Sequence, residues 1–84
     1  MKSRTHLARV AELPCCVTGR HPVEVHHVKT GLSGAGQKCS DMFTIPLAPE
    51  IHSEFHSQGR TTWEMKYGRQ ADHLADTLSR LMYS

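Results

Sequence analysis

The segment from Pro49 to Gly59 constrains the chain more than any other. Proline suits the first turn of a helix, an acidic neighbour favours the positive helix end, and glycine is a common stop. Pro49, Glu50 and Gly59 therefore bracket one short helix. Inside it Ile51 and Phe55 stand four apart, and so do His52 and His56. Residues at that spacing project from one helix face. The helix must lay Ile51 and Phe55 on a core while carrying two imidazoles beside it, close enough together to reach one metal ion.

The elements around that helix follow from simple patterns. Val23-Glu24-Val25 alternates as a strand does, and the strand is expected to run from Val23 to Val28, with the doublet His26-His27 at its end. Regular pleating sends the two histidines to opposite faces, so a site that uses both requires the strand to distort there. Met42 to Leu47 reads as a second strand, which Pro46 keeps short or at an edge. Upstream, Ser3 to Leu13 favours a helix with Leu7, Val10 and Ala11 on its inner stripe and Pro14 closing it. Downstream, Thr61 and Glu64 have the spacing of a capping box, and Gly68 breaks the segment. Ala71, Leu74, Ala75, Leu78, Leu81 and Met82 then mark an amphipathic helix whose stripe serves as core or as the seam of a homodimer. The fold class is α+β: a two-stranded hairpin and a short helix, flanked by N- and C-terminal helices.

At 84 residues the chain has room for one small domain over 1–84, and domains of this size often need a staple. The formal net charge of +2 is too weak to diagnose a nucleic-acid partner. Seven histidines are the outlier, and several on one surface point to metal. Cys15, Cys16 and Cys39 are odd in number and two are adjacent, which suits neither a disulfide framework nor a four-cysteine zinc site. Cys15 and Cys16 read as small buried apolar residues. No apolar run approaches a membrane span, and Met1 to His6 lacks the hydrophobic block of a signal peptide, so a cytoplasmic location with no membrane contact is expected. His6, His21 and His73 read as surface residues, and the face of the first helix that carries Arg4 and Arg9 reads as solvated.

His26, His52 and His56 are candidates to hold one divalent cation as neutral imidazoles, three protein ligands leaving coordination positions open. Such an ion can offset the negative charge that grows on a phosphate and its leaving 3′ oxygen. His27, whose unperturbed pKa lies near operating pH, is placed to take a proton from water. Between the strands, Gly31, Gly34 and Gly36 permit close backbone approach while Lys29 and Lys38 offer charge to a phosphate. A plain flexible connection explains these glycines equally well. The loop lacks the glycine-lysine-serine/threonine ending of a nucleotide P-loop. The same residues admit a second function: a non-catalytic, metal-stapled module that binds nucleic acid or a protein.

Leu13-Pro14-Cys15, Val25-His26-His27-Val28, the stretch Gly34 to Asp41, Thr44-Ile45-Pro46-Leu47, and His52 to His56 with Gly59 together resemble the HNH, or ββα-metal, endonucleases. Within that group the chain is most similar to the small phage recombination-enhancement (Ref-like, RecA-dependent) nucleases. The resemblance covers about half the chain continuously, and Trp63 extends it more loosely. It implies DNA as substrate, His27 as general base, and His26, His52 and His56 as ligands. It also implies Mg²⁺ as the physiological ion, with Zn²⁺, Mn²⁺ or Ni²⁺ as substitutes, and a RecA filament as partner. Two departures stand out. The family's middle asparagine falls near Phe43, Asp41 being the nearest polar side chain. Of the positions matching the paired cysteine knuckles of many relatives, only Cys15 among Cys15, Thr18, Ala48 and Ile51 can act as a thiolate, so no knuckle zinc is expected.

Overall fold

The structure, a computed structural model, describes residues 4–28 and 42–82. Helix α1 (Arg4–Glu12) is followed by the paired strands β1 (Glu24–His27) and β2 (Thr44–Leu47). Among the described residues three further helices follow: α2 (Pro49–Gln58), α3 (Arg60–Tyr67) and α4 (Gln70–Met82). This is the α+β hairpin-plus-helix arrangement expected, with terminal helices flanking it. Lys29, Gly31, Gly34, Gly36, Lys38, Cys39 and Asp41 lie outside the described residues. Among the described residues no helix is long and apolar enough to cross a membrane.

The strands pair antiparallel with Glu24 opposite Leu47, Val25 opposite Pro46, His26 opposite Ile45 and His27 opposite Thr44. Every residue of β2 is buried although one is proline. The register explains this tolerance. The Pro46 carbonyl faces away from β1 and accepts a hydrogen bond from the Cys16 amide at 3.0 Å. In an extended strand a residue's amide and carbonyl point to the same side, so the missing N–H falls on the edge that β1 does not use. The Cys15–Arg20 turn supplies this cover. Cys15 donates to the Arg20 carbonyl at 2.9 Å and Gly19 to the Cys15 carbonyl at 2.8 Å, with Gly19 at a φ of 72° that suits glycine.

The core gathers Cys15, Val28, Ile45, Leu47, Ala48, Ile51, Trp63 and Leu74. Trp63, fully buried, is the wedge beneath α2. Its indole N–H donates to the Ile51 carbonyl at 3.2 Å, and its ring meets Phe55 edge-on with centroids 5.6 Å apart. On the outer side of the same junction Glu54 accepts from Tyr67 Oη at 2.6 Å and from Lys66 Nζ at 2.8 Å. Those two donors hold its carboxyl below the usual range. Helix α2 is thus pinned from below and from the side, which fixes the direction in which its histidines point. As expected, Pro49 starts α2, and Gly59 and Gly68, at φ of 87° and 97°, end α2 and α3.

Several local expectations require correction. The capping box at Thr61 does not form: α3 begins directly at Arg60 after Gly59, without a side-chain cap. Glu64 instead turns to Gln70, accepting its backbone N–H at 2.9 Å. In α1 the inward stripe is His6 and Val10, four apart, with Leu7 half-buried and Ala11 exposed, so His6 is a buried residue. In α4 the inner face is Gln70, Leu74, Thr77 and Leu81, with Leu78 half-buried, while Ala71, Ala75 and Met82 face solvent. Polar Gln70 and Thr77 are tolerated there because each is satisfied. The Thr77 hydroxyl donates to the His73 carbonyl at 2.9 Å, and Gln70 serves the site described next. His73, expected at the surface, is half-buried, with Nε2 2.8 Å from the Tyr67 carbonyl.

Candidate metal centre

His26 projects inward from β1 and is buried; His52 and His56 come from successive turns of α2, half-buried and exposed in turn. One nitrogen of each ring converges on a common point. Nδ1 of His26 lies 3.2 Å from Nε2 of His52, and Nε2 of His56 lies 3.2 Å from the same atom. All three nitrogens fall within 4.8 Å of one another, and the described residues offer this as a group able to hold a metal ion. In a tetrahedral site with Zn–N bonds of about 2.0–2.1 Å, ligand nitrogens stand about 3.3–3.4 Å apart, close to the two short separations.

The outer partners decide which atoms face inward. Nδ1 of His52 lies 2.8 Å from Glu24 Oε1, and the carboxylate accepts its proton. Nε2 of His26 lies 2.9 Å from Gln70 Oε1, which likewise accepts. With protons assigned by this network, Nδ1 of His26 and Nε2 of His52 are both lone-pair acceptors facing each other at hydrogen-bond distance. Two acceptors so placed repel unless a cation lies between them. Carboxylate-histidine pairs of this type orient metal ligands and raise their basicity. Burial holds the His26 imidazole below its ordinary range. The Gln70 bond opposes that shift, while the charges of His52, His56 and His27 reinforce it. His26 is therefore neutral near pH 7, the form a metal requires.

The trio opens into a cleft of about 510 Å³ whose wall includes His27, Phe55, Arg60 and Gln70. His27 is exposed, as pleating next to an inward His26 demands, yet it borders the same cleft. The distortion that a shared site was expected to need is absent: β1 pairs with β2 residue for residue through both histidines. Cys15 and Cys16 stand apart from this centre. Cys15 Sγ accepts the amides of Val17 and Thr18 at 3.4 Å each, and burial, with Cys15 beside it, pushes the Cys16 thiol up to about 12. Both are packing residues, the second half-buried.

Sequence reasoning found the three converging histidines and the neighbouring His27. It passed over Glu24, Arg60 and Gln70. Glu24 was legible in principle, standing two residues before His26 on the same strand face, and Arg60 stands four beyond His56. Gln70 left no local signal, since it lies 44 residues from the ring it contacts.

Comparison with known proteins gives a family and a relative. The family described as "Protein of unknown function (DUF968)" matches residues 1–83. The "Uncharacterized protein YdfU" of Escherichia coli (strain K12) is 31% identical over 70 residues, a stretch covering 82% of this chain and 20% of that protein. The chain thus spans about a fifth of that relative's length. No solved structure matches. With almost its whole length matched, the chain belongs to the DUF968 family.

Proposed function

We propose that this domain is a divalent-metal-dependent endonuclease that hydrolyses DNA phosphodiester bonds. The observation that carries the reading is the convergence of Nδ1 of His26 with Nε2 of His52 and His56 at the floor of a cleft that His27 also borders. The resemblance of the same residues to the ββα-metal endonucleases supports it.

Within this reading each residue has a stated task. His26, His52 and His56 would hold the ion, which supplies positive charge to the phosphate and the departing 3′ oxygen. His27 takes a proton from the attacking water and returns it to solvent. Glu24 keeps the Nδ1 proton of His52 engaged, so that Nε2 stays available. Arg60 brings a fixed positive charge to the cleft wall, tempered by Glu64 at 3.5 Å, and suits a non-bridging phosphate oxygen. Three imidazoles form a borderline-soft donor set that selects Zn²⁺, Mn²⁺, Ni²⁺ or Co²⁺ over Mg²⁺, which prefers oxygen. The reading therefore departs from Mg²⁺ as the working ion.

Incubating the domain with supercoiled, linear duplex and single-stranded DNA checks this directly. Breakage is expected with Mn²⁺, Ni²⁺ or Co²⁺, weaker breakage with Mg²⁺, and none after chelation. Phe43, 39% exposed where the resemblance places an asparagine, favours a second reading in which the stapled domain binds nucleic acid without cutting it. Tight DNA binding with no breakage under any ion would support that reading and defeat the nuclease.

A further inference from the structure

We infer that Gln70, held in place by Glu64, is a positioning residue that dictates which nitrogen of His26 is offered to a metal ion. The inference rests on reading His26, His52 and His56 as a metal site, and it concerns groups outside the trio.

Gln70 opens α4 and is 3% exposed, with its side-chain oxygen on His26 Nε2 at 2.9 Å. A glutamine amide has two ends of similar shape and opposite role: an oxygen that accepts and an NH₂ that donates. Which end meets His26 decides which ring nitrogen carries the proton. Glu64 settles the matter. Its Oε2 takes the Gln70 backbone N–H at 2.9 Å and lies 3.4 Å from the Gln70 side-chain nitrogen. An ionised carboxylate can only accept, so the NH₂ end must face Glu64 and the oxygen must face His26. An oxygen at that position requires a proton on Nε2 of His26. The lone pair is left on Nδ1, the atom 3.2 Å from His52 Nε2.

The chain Glu64–Gln70–His26 thus sets a tautomer through two linked choices, the first at the part-buried Glu64 and the second at the buried contact between Gln70 and His26. Reversing the amide would reverse the outcome. With NH₂ facing His26, the ring proton would move to Nδ1, where it would point at His52 and block ligation. Glu64 touches no ligand, yet it controls one.

The test uses the metal-free domain labelled with ¹⁵N-histidine, in which NMR reads the protonated nitrogen of each ring, and Co²⁺ titration followed by absorption. The wild type is expected to carry the His26 proton on Nε2. Gln70→Met, of similar shape but without an acceptor, should weaken Co²⁺ binding about 10- to 100-fold, as loss of an outer-shell partner does. Glu64→Gln releases the amide and should move protonation towards Nδ1 with a comparable loss of affinity. The reciprocal pair Glu64→Gln with Gln70→Glu puts a carboxylate beside His26 and an amide behind it. It should restore both the Nε2 proton and most of the affinity, a rescue that a merely structural role for either residue would not produce. Thermal melts of the metal-free variants confirm folding, and the wild-type tautomer is readable whether or not a variant folds. A proton on Nδ1 of His26 in the metal-free wild type, or wild-type affinity in Gln70→Met, overturns the inference alone. A wild type that takes up no Co²⁺ overturns the metal site and the inference with it.

Discussion

His27→Ala is expected to lower DNA cleavage by roughly 10²- to 10⁴-fold, the usual worth of a general base, while leaving divalent-ion affinity within about twofold of the wild type. The two effects separate because His27 is not among the three rings whose nitrogens converge. Its backbone pairs with Thr44 in the ladder, a contact that alanine keeps, and its side chain is exposed. The substitution should therefore shift stability by no more than about 0.5 kcal/mol, as surface changes do. Parallel measurements of cleavage rate and metal affinity check the prediction. Cleavage at the wild-type rate would remove His27 from the mechanism and leave the metal site standing.

His52→Ala should have the opposite signature. Both 3.2 Å contacts run through His52 Nε2, so this ring is the hub of the trio. Removing it leaves His26 and His56 without the nitrogen that bridges them and leaves Glu24 without its proton donor. Affinity should fall by more than the roughly 10- to 100-fold that loss of an outer partner costs. Stability should report the same event. A ligand at a hundredfold excess over its Kd stabilises the folded state by about 2.7 kcal/mol, which in a domain of this size is roughly 10–20 °C in Tm. The wild type should show that rise on adding Zn²⁺ and His52→Ala should not. Without metal, His52→Ala should melt no lower than the wild type, because two facing acceptors have been separated. Scanning calorimetry with and without the ion measures both statements, and an undiminished metal-induced rise in His52→Ala would contradict them.

The parts of this fold that were legible in the sequence are those set by local chemistry. Pro49 and Gly59 bound α2 because one fits a first turn and the other adopts a positive φ, and neither property depends on what packs nearby. Three of the four histidines singled out converge because a four-residue helical spacing and a strand end are themselves local facts. Decisions made by tertiary partners were not legible. Thr61 and Glu64 carry the spacing of a capping box, but α3 follows α2 through a single glycine, and Gln70 takes Glu64 away. The burial of His6 depends on how α1 lies on the strands and on α4, to which Arg9 ties it through the Leu81 carbonyl at 2.7 Å. An outward Ala75 and an inward Thr77 reverse what hydrophobicity suggests in α4. Hydrophobicity gives no weight to a hydroxyl that can bond one turn back. Gln70 is the extreme case: its role exists only when α4 meets β1.

The central claim is that Nδ1 of His26 and Nε2 of His52 and His56 grip one cation. Its most direct test is anomalous X-ray diffraction from crystals of the domain grown with Zn²⁺, recorded on both sides of the zinc absorption edge. The account predicts a single strong anomalous peak about 2.0–2.1 Å from each of those three nitrogens, with Gln70 and Glu24 still on the outward nitrogens of His26 and His52. An anomalous peak bound elsewhere, or three imidazoles turned away from one another around no peak at all, would contradict it.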